Sequence, residues 1–361
     1  MSDSFQAVVQ TGVEQFEMQR FGRPPLGEDD GLLRLEACGL CGTDIETFRG
    51  GMALSYPVIP GHEPVGVIET VGARAAERWG VEVGDRVVLQ SDFGCGRCKA
   101  CLDGQLCTAN PGNYGFMPTS VTPGLWGGYA EALYLAPGCV PHKISRDVPA
   151  RIAALYNPLA AGFAWAVTTP ALEYGQTIAI LGPGQRGLSC VIAAKAVGAS
   201  QVFVTGLGSQ DAHKMALCEE LGADRVIDVE REDAIATVAE ETEGRGVDVV
   251  VDTTPGATRP VVEAVQIARP GGTIVWAGLK HALVSDFPTD EVAMRYQTIK
   301  GVRTQGFSSF RQAVRLIESG SVPVERMHTH HFALEDAVLA IETLADAGRH
   351  EAISVTIEAG L

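Results

Sequence analysis

Apolar positions in this chain follow two different rhythms. Up to about residue 150 they come in short strand-length runs, at 7–9, 32–36, 66–71 and 86–89, parted by Gly- and Pro-containing turns. Strands of that kind at irregular spacing predict a compact β-rich domain. From about residue 160 apolar runs alternate with stretches of helical periodicity. Strands are predicted at 177–181, 201–204, 225–227, 247–251 and 272–277, with helices at 188–197, 212–221, 233–242 and 259–268. That alternation implies an α/β fold built on a doubly wound parallel sheet. Beyond residue 300 the pattern predicts helices at 310–319 and 333–347 and a last strand at 354–358. The tail is expected to rejoin the first domain, giving a discontinuous unit of 1–156 and 300–361 around a second of 157–299.

Composition sharpens this picture. A chain of 361 residues with 42 Gly and only 6% aromatics suits a tightly turned protein of two domains. Its formal charge of −16 argues against nucleic acid and anionic membranes as partners. No apolar run reaches the roughly eighteen residues of a membrane span, and the opening MSDSFQAVV carries no apolar signal segment. The expectation is a cytoplasmic protein.

Two loops carry recognisable chemistry. Cys95, Cys98, Cys101 and Cys107 fall within thirteen residues as C-x2-C-x2-C-x5-C. Four thiolates so spaced can close a tetrahedral zinc site with little backbone adjustment. Gly94, Gly96, Arg97 and Lys99 supply turns and positive charge around them. A ferredoxin-type run would bring its fourth Cys sooner and before Pro; here Thr108 follows Cys107. Disulfides belong to oxidising compartments, so one structural zinc is expected. The second loop, Gly182-Pro183-Gly184-Gln185-Arg186-Gly187, is G-x-G-x-x-G between a predicted strand and a predicted helix. There the glycines serve a tight turn, backbone approach to a pyrophosphate and helix–strand packing, and the helix start offers free N–H groups. Gly182, Gly184, Gln185, Arg186 and Gly187 are the candidate cofactor contacts. An acid at the end of the second strand would hold the ribose of NAD. Here that strand runs through Gly206 to Ser209 with no carboxylate before Asp211 and no Arg for a 2′-phosphate; the nearest bases are His213 and Lys214. NAD is expected, NADP stays open, and Gly206 and Lys214 join the candidate contacts.

Upstream lie Cys41-Gly42-Thr43-Asp44 and, about twenty residues on, Gly61-His62-Glu63-Pro64-Val65-Gly66. With these four motifs in order, the chain resembles the zinc-dependent medium-chain alcohol dehydrogenases, in particular the sorbitol (polyol) dehydrogenase-like branch. The resemblance covers nearly the whole chain. It implies a β-rich GroES-like catalytic domain beside a Rossmann domain, and an NAD(P)-dependent enzyme interconverting a secondary, cyclic or polyol alcohol and its ketone or aldehyde. It also implies a second, catalytic zinc held by Cys41 and His62. Relatives commonly have Glu-Pro-Leu where this chain has Asn157-Pro158-Leu159. A neutral amide is a poor zinc ligand, and Glu63 can coordinate instead, so either Glu63 or Asn157 completes the shell. Thr43 matches the hydroxyl that starts the family's proton relay, Glu46 stands where many relatives place the next relay residue, and Asp44 is expected to orient a ligand. Trp126, Phe48 and Ser91 fall near where the family lines its substrate cleft.

The expected partners are a small-molecule alcohol or carbonyl substrate and further copies of the chain, as a homodimer or homotetramer. Two alternatives accompany this reading: an NADPH-dependent carbonyl reductase of the same fold, and a non-catalytic relative, towards which only Asn157 points. Cys38 reads as a small core residue, and Cys139, Cys190 and Cys218 lie in apolar contexts and should be buried. His328-Thr329-His330-His331 reads as a solvated or interface segment rather than a metal tract.

Overall fold

The computed structural model describes residues 3–360 except 104, 106, 110 and 304. Two compact units emerge, one of Met1–Asn157, Ile317–Ser319 and His328–Leu361, the other of Pro158–Leu316 and Gly320–Met327.

In the first unit strict two-residue alternation builds a β-rich body with apolar cover on both sides. Along strand Ser4–Gly12, Phe5, Ala7 and Val9 enter one core cluster while Val8 enters another. Gln15–Gly22 folds back on this strand as a hairpin that apolar patterning does not reveal, because its exposed face is mostly polar. The larger sheet has seven strands. Its order is His328–Ala333, Ser354–Glu358, Gly31–Gly39, Glu63–Val71, Arg86–Leu89 and Pro141–Lys143, with Ala132–Leu135 also paired to Gly31–Gly39. The helix expected from residue 333 starts later. Ala333 still belongs to a strand, and only from Ala337 does helix Ala337–Ala345 begin, burying Ala337, Ala340 and Ile341 at helical spacing.

The second unit is a six-stranded parallel sheet in the order Arg225–Asp228, Gln201–Gly206, Thr177–Leu181, Val247–Asp252, Ala268–Trp276, Thr298–Gly301. This is the doubly wound Rossmann order, and the chain reverses direction of winding between Thr177–Leu181 and Val247–Asp252. Its central strands are buried from end to end at Ile178–Leu181 and Val249–Asp252, as strands covered on both faces must be. Residues 300–316 group with this unit. Thr298–Gly301 adds a sixth strand through a run with one strongly apolar residue, too short for periodicity to reveal. Helices begin earlier than their apolar rhythm suggests, at Gln185 and Gly208 rather than 188 and 212, because their first turns carry few apolar residues. Cys38, Cys139, Cys190 and Cys218 are buried.

Candidate active site

The four-cysteine loop gathers its sulfurs tightly. Cys98 Sγ lies 3.5 Å from Cys101 Sγ and 3.8 Å from Cys107 Sγ, and Cys107 Sγ lies 3.7 Å from Cys95 Sγ. A zinc–sulfur bond of about 2.3 Å gives a tetrahedron with edges of about 3.8 Å, whereas a disulfide needs about 2.05 Å. The spacing therefore fits an all-cysteine zinc centre, and none of the four is disulfide-bonded. Backbone N–H groups of Cys101 and Thr108 hold Cys98 down to about 5, while burial and neighbouring thiols push Cys101 up to about 12. Full deprotonation of four sulfurs this close requires a cation among them. Gly94 keeps the approach open, since a Cβ there would stand 2.9 Å from Cys101 Sγ.

One strand pair assembles the second cluster. Between Gly31–Gly39 and Glu63–Val71 the antiparallel register sets Gly39 opposite Glu63. A Cβ on Gly39 would stand 2.5 Å from Glu63 Oε2, so the missing side chain makes room for that carboxylate. The chain then turns into helix Gly42–Phe48 with Cys41 as its N-cap. Cys41 Sγ accepts the Thr43 N–H at 3.3 Å and Asp44 accepts the Cys41 N–H at 2.9 Å, a capping box with sulfur in the usual hydroxyl position. His62 Nε2 lies 3.1 Å from Cys41 Sγ, and its Nδ1 lies 3.6 Å from Asp44 Oδ1. The Phe116 ring packs on the imidazole at 5.3 Å between centroids. Ligand atoms of Cys41, His62 and Glu63 all fall within 4.8 Å of one another, in buried surroundings. Burial opposes charge on His62, yet Cys41 and Asp44 outweigh it and lift the imidazole well above the ordinary histidine value. A field that holds a proton so strongly also attracts a cation, and one sulfur, one imidazole and one carboxylate are zinc donors.

Thr43 and Glu46 are half-buried one turn apart on the same short helix. Asn157 is buried where helix Tyr156–Gly162 begins, and the neighbouring Tyr156 donates its hydroxyl to the Leu89 carbonyl at 2.7 Å. Trp126 and Phe48, expected near a cleft, are core residues instead. Trp126 stacks on Phe93, lies tilted against Tyr114 and meets Tyr134 edge-on, and Phe48 meets Phe16 edge-on. Ser91 is half-buried and accepts the Tyr114 N–H through its carbonyl. Sequence reasoning passed over Tyr129, whose fully buried ring lies under Gly61. Burial and the nearby carboxylates Asp44 and Glu63 push its hydroxyl well above the usual tyrosine range, so it remains a proton donor.

In the second unit the glycine loop divides its duties. Gly182 has φ of +100°, a left-handed conformation, and a Cβ on Gly187 would stand 1.9 Å from the Gly182 carbonyl oxygen. The fold itself requires both. Gly184, the N-cap of helix Gln185–Ala196, would point a Cβ into open space. Thr253 at the switch point donates its hydroxyl to the Leu181 and Gly182 carbonyls at 2.9 and 3.1 Å. Arg186 lays its guanidinium over Trp165 at 5.8 Å. Gly206 is closely packed against Met215 and Pro183, and Lys214 is paired with Asp211 at 2.9 Å. Asp228 Oδ1 accepts the Gly208 N–H at 2.9 Å, and Glu230 Oε2 accepts the Ser209 N–H at 2.7 Å. Two carboxylates thus close the start of helix Gly208–Glu220. Sequence reasoning misses them because they stand at and just beyond the end of the third strand, while the usual acidic signal stands at the end of the second.

Comparison with known proteins decides what this assembly is. A model of the alcohol dehydrogenase GroES-like domain matches residues 27–144, and one of the zinc-binding dehydrogenases matches 187–319. A probable alcohol dehydrogenase of Mycobacterium tuberculosis is 40% identical over 353 residues, covering 96% of each chain. The chain belongs to the zinc-dependent medium-chain alcohol dehydrogenase family. An erythritol/L-threitol dehydrogenase of Mycolicibacterium smegmatis is 30% identical, covering 98% of each chain. The structure of an alcohol dehydrogenase from a Thermus species superposes with a TM-score of 0.85 at 26% identity, covering 98% of this chain and 99% of that one.

This dehydrogenase is accordingly an NAD(P)-dependent alcohol oxidoreductase that uses zinc and acts on a small molecule. Among the described residues no helix is long and apolar enough to cross a membrane. The cysteine loop and the Cys41–His62–Glu63 cluster both have donor sets and spacings that fit zinc.

Proposed function

We propose that this dehydrogenase interconverts a secondary, cyclic or polyol alcohol and its ketone or aldehyde, with NAD(H) as the hydride carrier. In this reading the first unit is catalytic and the second holds the dinucleotide. The observation that carries it is the convergence of Cys41, His62 and Glu63, three buried metal donors within 4.8 Å. Zinc held there supplies Lewis acidity that acidifies the substrate hydroxyl and polarises the carbonyl in the reverse direction. Asp44 holds Cys41 through its N–H and faces His62, so it positions two ligands at once. Thr43 would relay the hydroxyl proton, its oxygen accepting it as its own proton leaves towards the Glu46 carboxylate one helical turn on, which then releases it to water. Asn157 offers an amide donor and acceptor that orients the substrate oxygen, with Glu63 as the third protein ligand. On the second unit Gly182, Gly184, Gln185, Arg186 and Gly187 receive the pyrophosphate at the helix start. Preference for NAD is supported by Asp228 and Glu230, whose carboxylates occupy the N–H groups that a 2′-phosphate would seek. We place the enzyme in the cytoplasm as a homodimer or homotetramer. A panel of primary, secondary, cyclic and polyol alcohols, each with NAD and NADP, tests the reading. Turnover of a secondary or polyol substrate with NAD is expected, and activity unaffected by Cys41→Ser would overturn it.

A further inference from the structure

At the outer edge of the first unit's larger sheet, strand His328–Ala333 pairs in parallel with Ser354–Glu358. Regular alternation would put His328 and His330 on one face and His331 on the other. The register instead shifts between His328 and His330, two residues there spanning one step of the partner strand. Such a bulge re-aims side chains. As a result the His328 and His331 rings stack at 6.1 Å, while His330 turns away to stack on Phe332 at 6.5 Å. His331 lies opposite Thr356, and Glu358 projects two residues further along the same face. Ligand atoms of His328, His331 and Glu358 come within 4.8 Å of one another. We propose that His328, His331 and Glu358 form a further binding site for a divalent first-row metal ion, separate from both zinc centres of the family.

Two imidazoles and one carboxylate are a donor set for zinc, nickel or copper rather than for calcium or magnesium. His328 is suited to the role. One of its nitrogens, Nε2, is fixed by Thr356 Oγ1 at 3.0 Å, the hydrogen bond that orients a ligating ring. The competing occupant is Arg151, whose guanidinium lies 3.3 Å from Glu358 and 3.5 Å from His331 Nδ1. It marks the place as attractive to positive charge. Its side chain is 40% exposed, so it can swing into water and yield to an ion.

The test is a zinc titration of the purified holoenzyme, already saturated at its tight sites and freed of loose metal. Calorimetry and metal analysis after equilibrium dialysis read the additional equivalent. One further zinc per chain is expected for the wild type. His331→Ala should weaken it by at least roughly tenfold, and Arg151→Met should tighten it by removing the competing cation. His330→Ala is the control within the same tract, because that ring faces away. Loss of binding equal to that of His331→Ala would mean unspecific capture by a histidine run and overturn the site. So would absence of the additional equivalent in both the wild type and Arg151→Met.

Discussion

Gly39 shows how much a single missing side chain can decide. Its Cβ position lies 2.5 Å from Glu63 Oε2, and strand pairing leaves neither partner free to slide. Gly39→Ala should displace the carboxylate, at a stability cost of roughly 1–3 kcal/mol for overpacking. Zinc occupancy at Cys41 and His62 should fall with it, and kcat/KM by roughly tenfold or more, read by metal analysis and steady-state kinetics. The Glu63 assignment itself separates from Asn157 by charge. Glu63→Gln should weaken the metal by at least roughly tenfold if the carboxylate is a ligand. If Asn157 faces the same shell as proposed, Asn157→Glu should tighten the metal by adding a charged oxygen. A Glu63→Gln protein with undiminished zinc would return Glu63 to a supporting role.

At the scale of elements, the strand–loop–helix of residues 177–196 separates fold from function. Gly184→Val adds atoms in open space, so the unit should fold normally while NAD binding weakens by roughly tenfold or more. Gly187→Ala drives a Cβ into the Gly182 carbonyl, so thermal stability should fall before any binding is measured. Fluorescence titration with NADH and a melting curve distinguish the two. The helix Gly208–Glu220 offers the matching test of cofactor choice. Asp228→Asn with Glu230→Gln should narrow the proposed preference for NAD over NADP by about tenfold, because anions no longer occupy its first N–H groups. These elements also show where sequence patterns were readable. Glycines with fixed spacing between a strand and a helix announce the nucleotide loop, since each answers a local steric demand. Asp228 and Glu230 act on a helix that precedes them, a contact set by parallel strand register that no local window contains. The bulge at His328–His330 was hidden likewise, because alternation along one strand cannot reveal a slip against its neighbour.

Across the whole molecule the two family zinc ions should have opposite consequences. Among the described residues, the loop from Cys95 to Cys107 contains one four-residue helix, Lys99–Leu102, and one two-stranded ladder beside it, Asp92–Phe93 with Gly112–Asn113. So little regular structure cannot hold a loop by itself, and the metal's binding energy is folding energy there. Cys101→Ser should therefore remove one tightly bound zinc and lower the melting temperature by roughly 5–10 °C, with kcat of the surviving protein near normal. Cys41 and His62 lie instead beside a seven-stranded sheet and a capped helix, held by strand pairing and a buried core. Cys41→Ser should remove the other tight zinc and abolish turnover while moving the melting temperature by only a few degrees. Metal analysis after desalting should thus read two tightly bound ions in the wild type and one in each variant. If Cys41→Ser instead melted far below Cys101→Ser, the cluster at His62 and Glu63 would be the structural centre, and the division of labour between the two sites would be reversed.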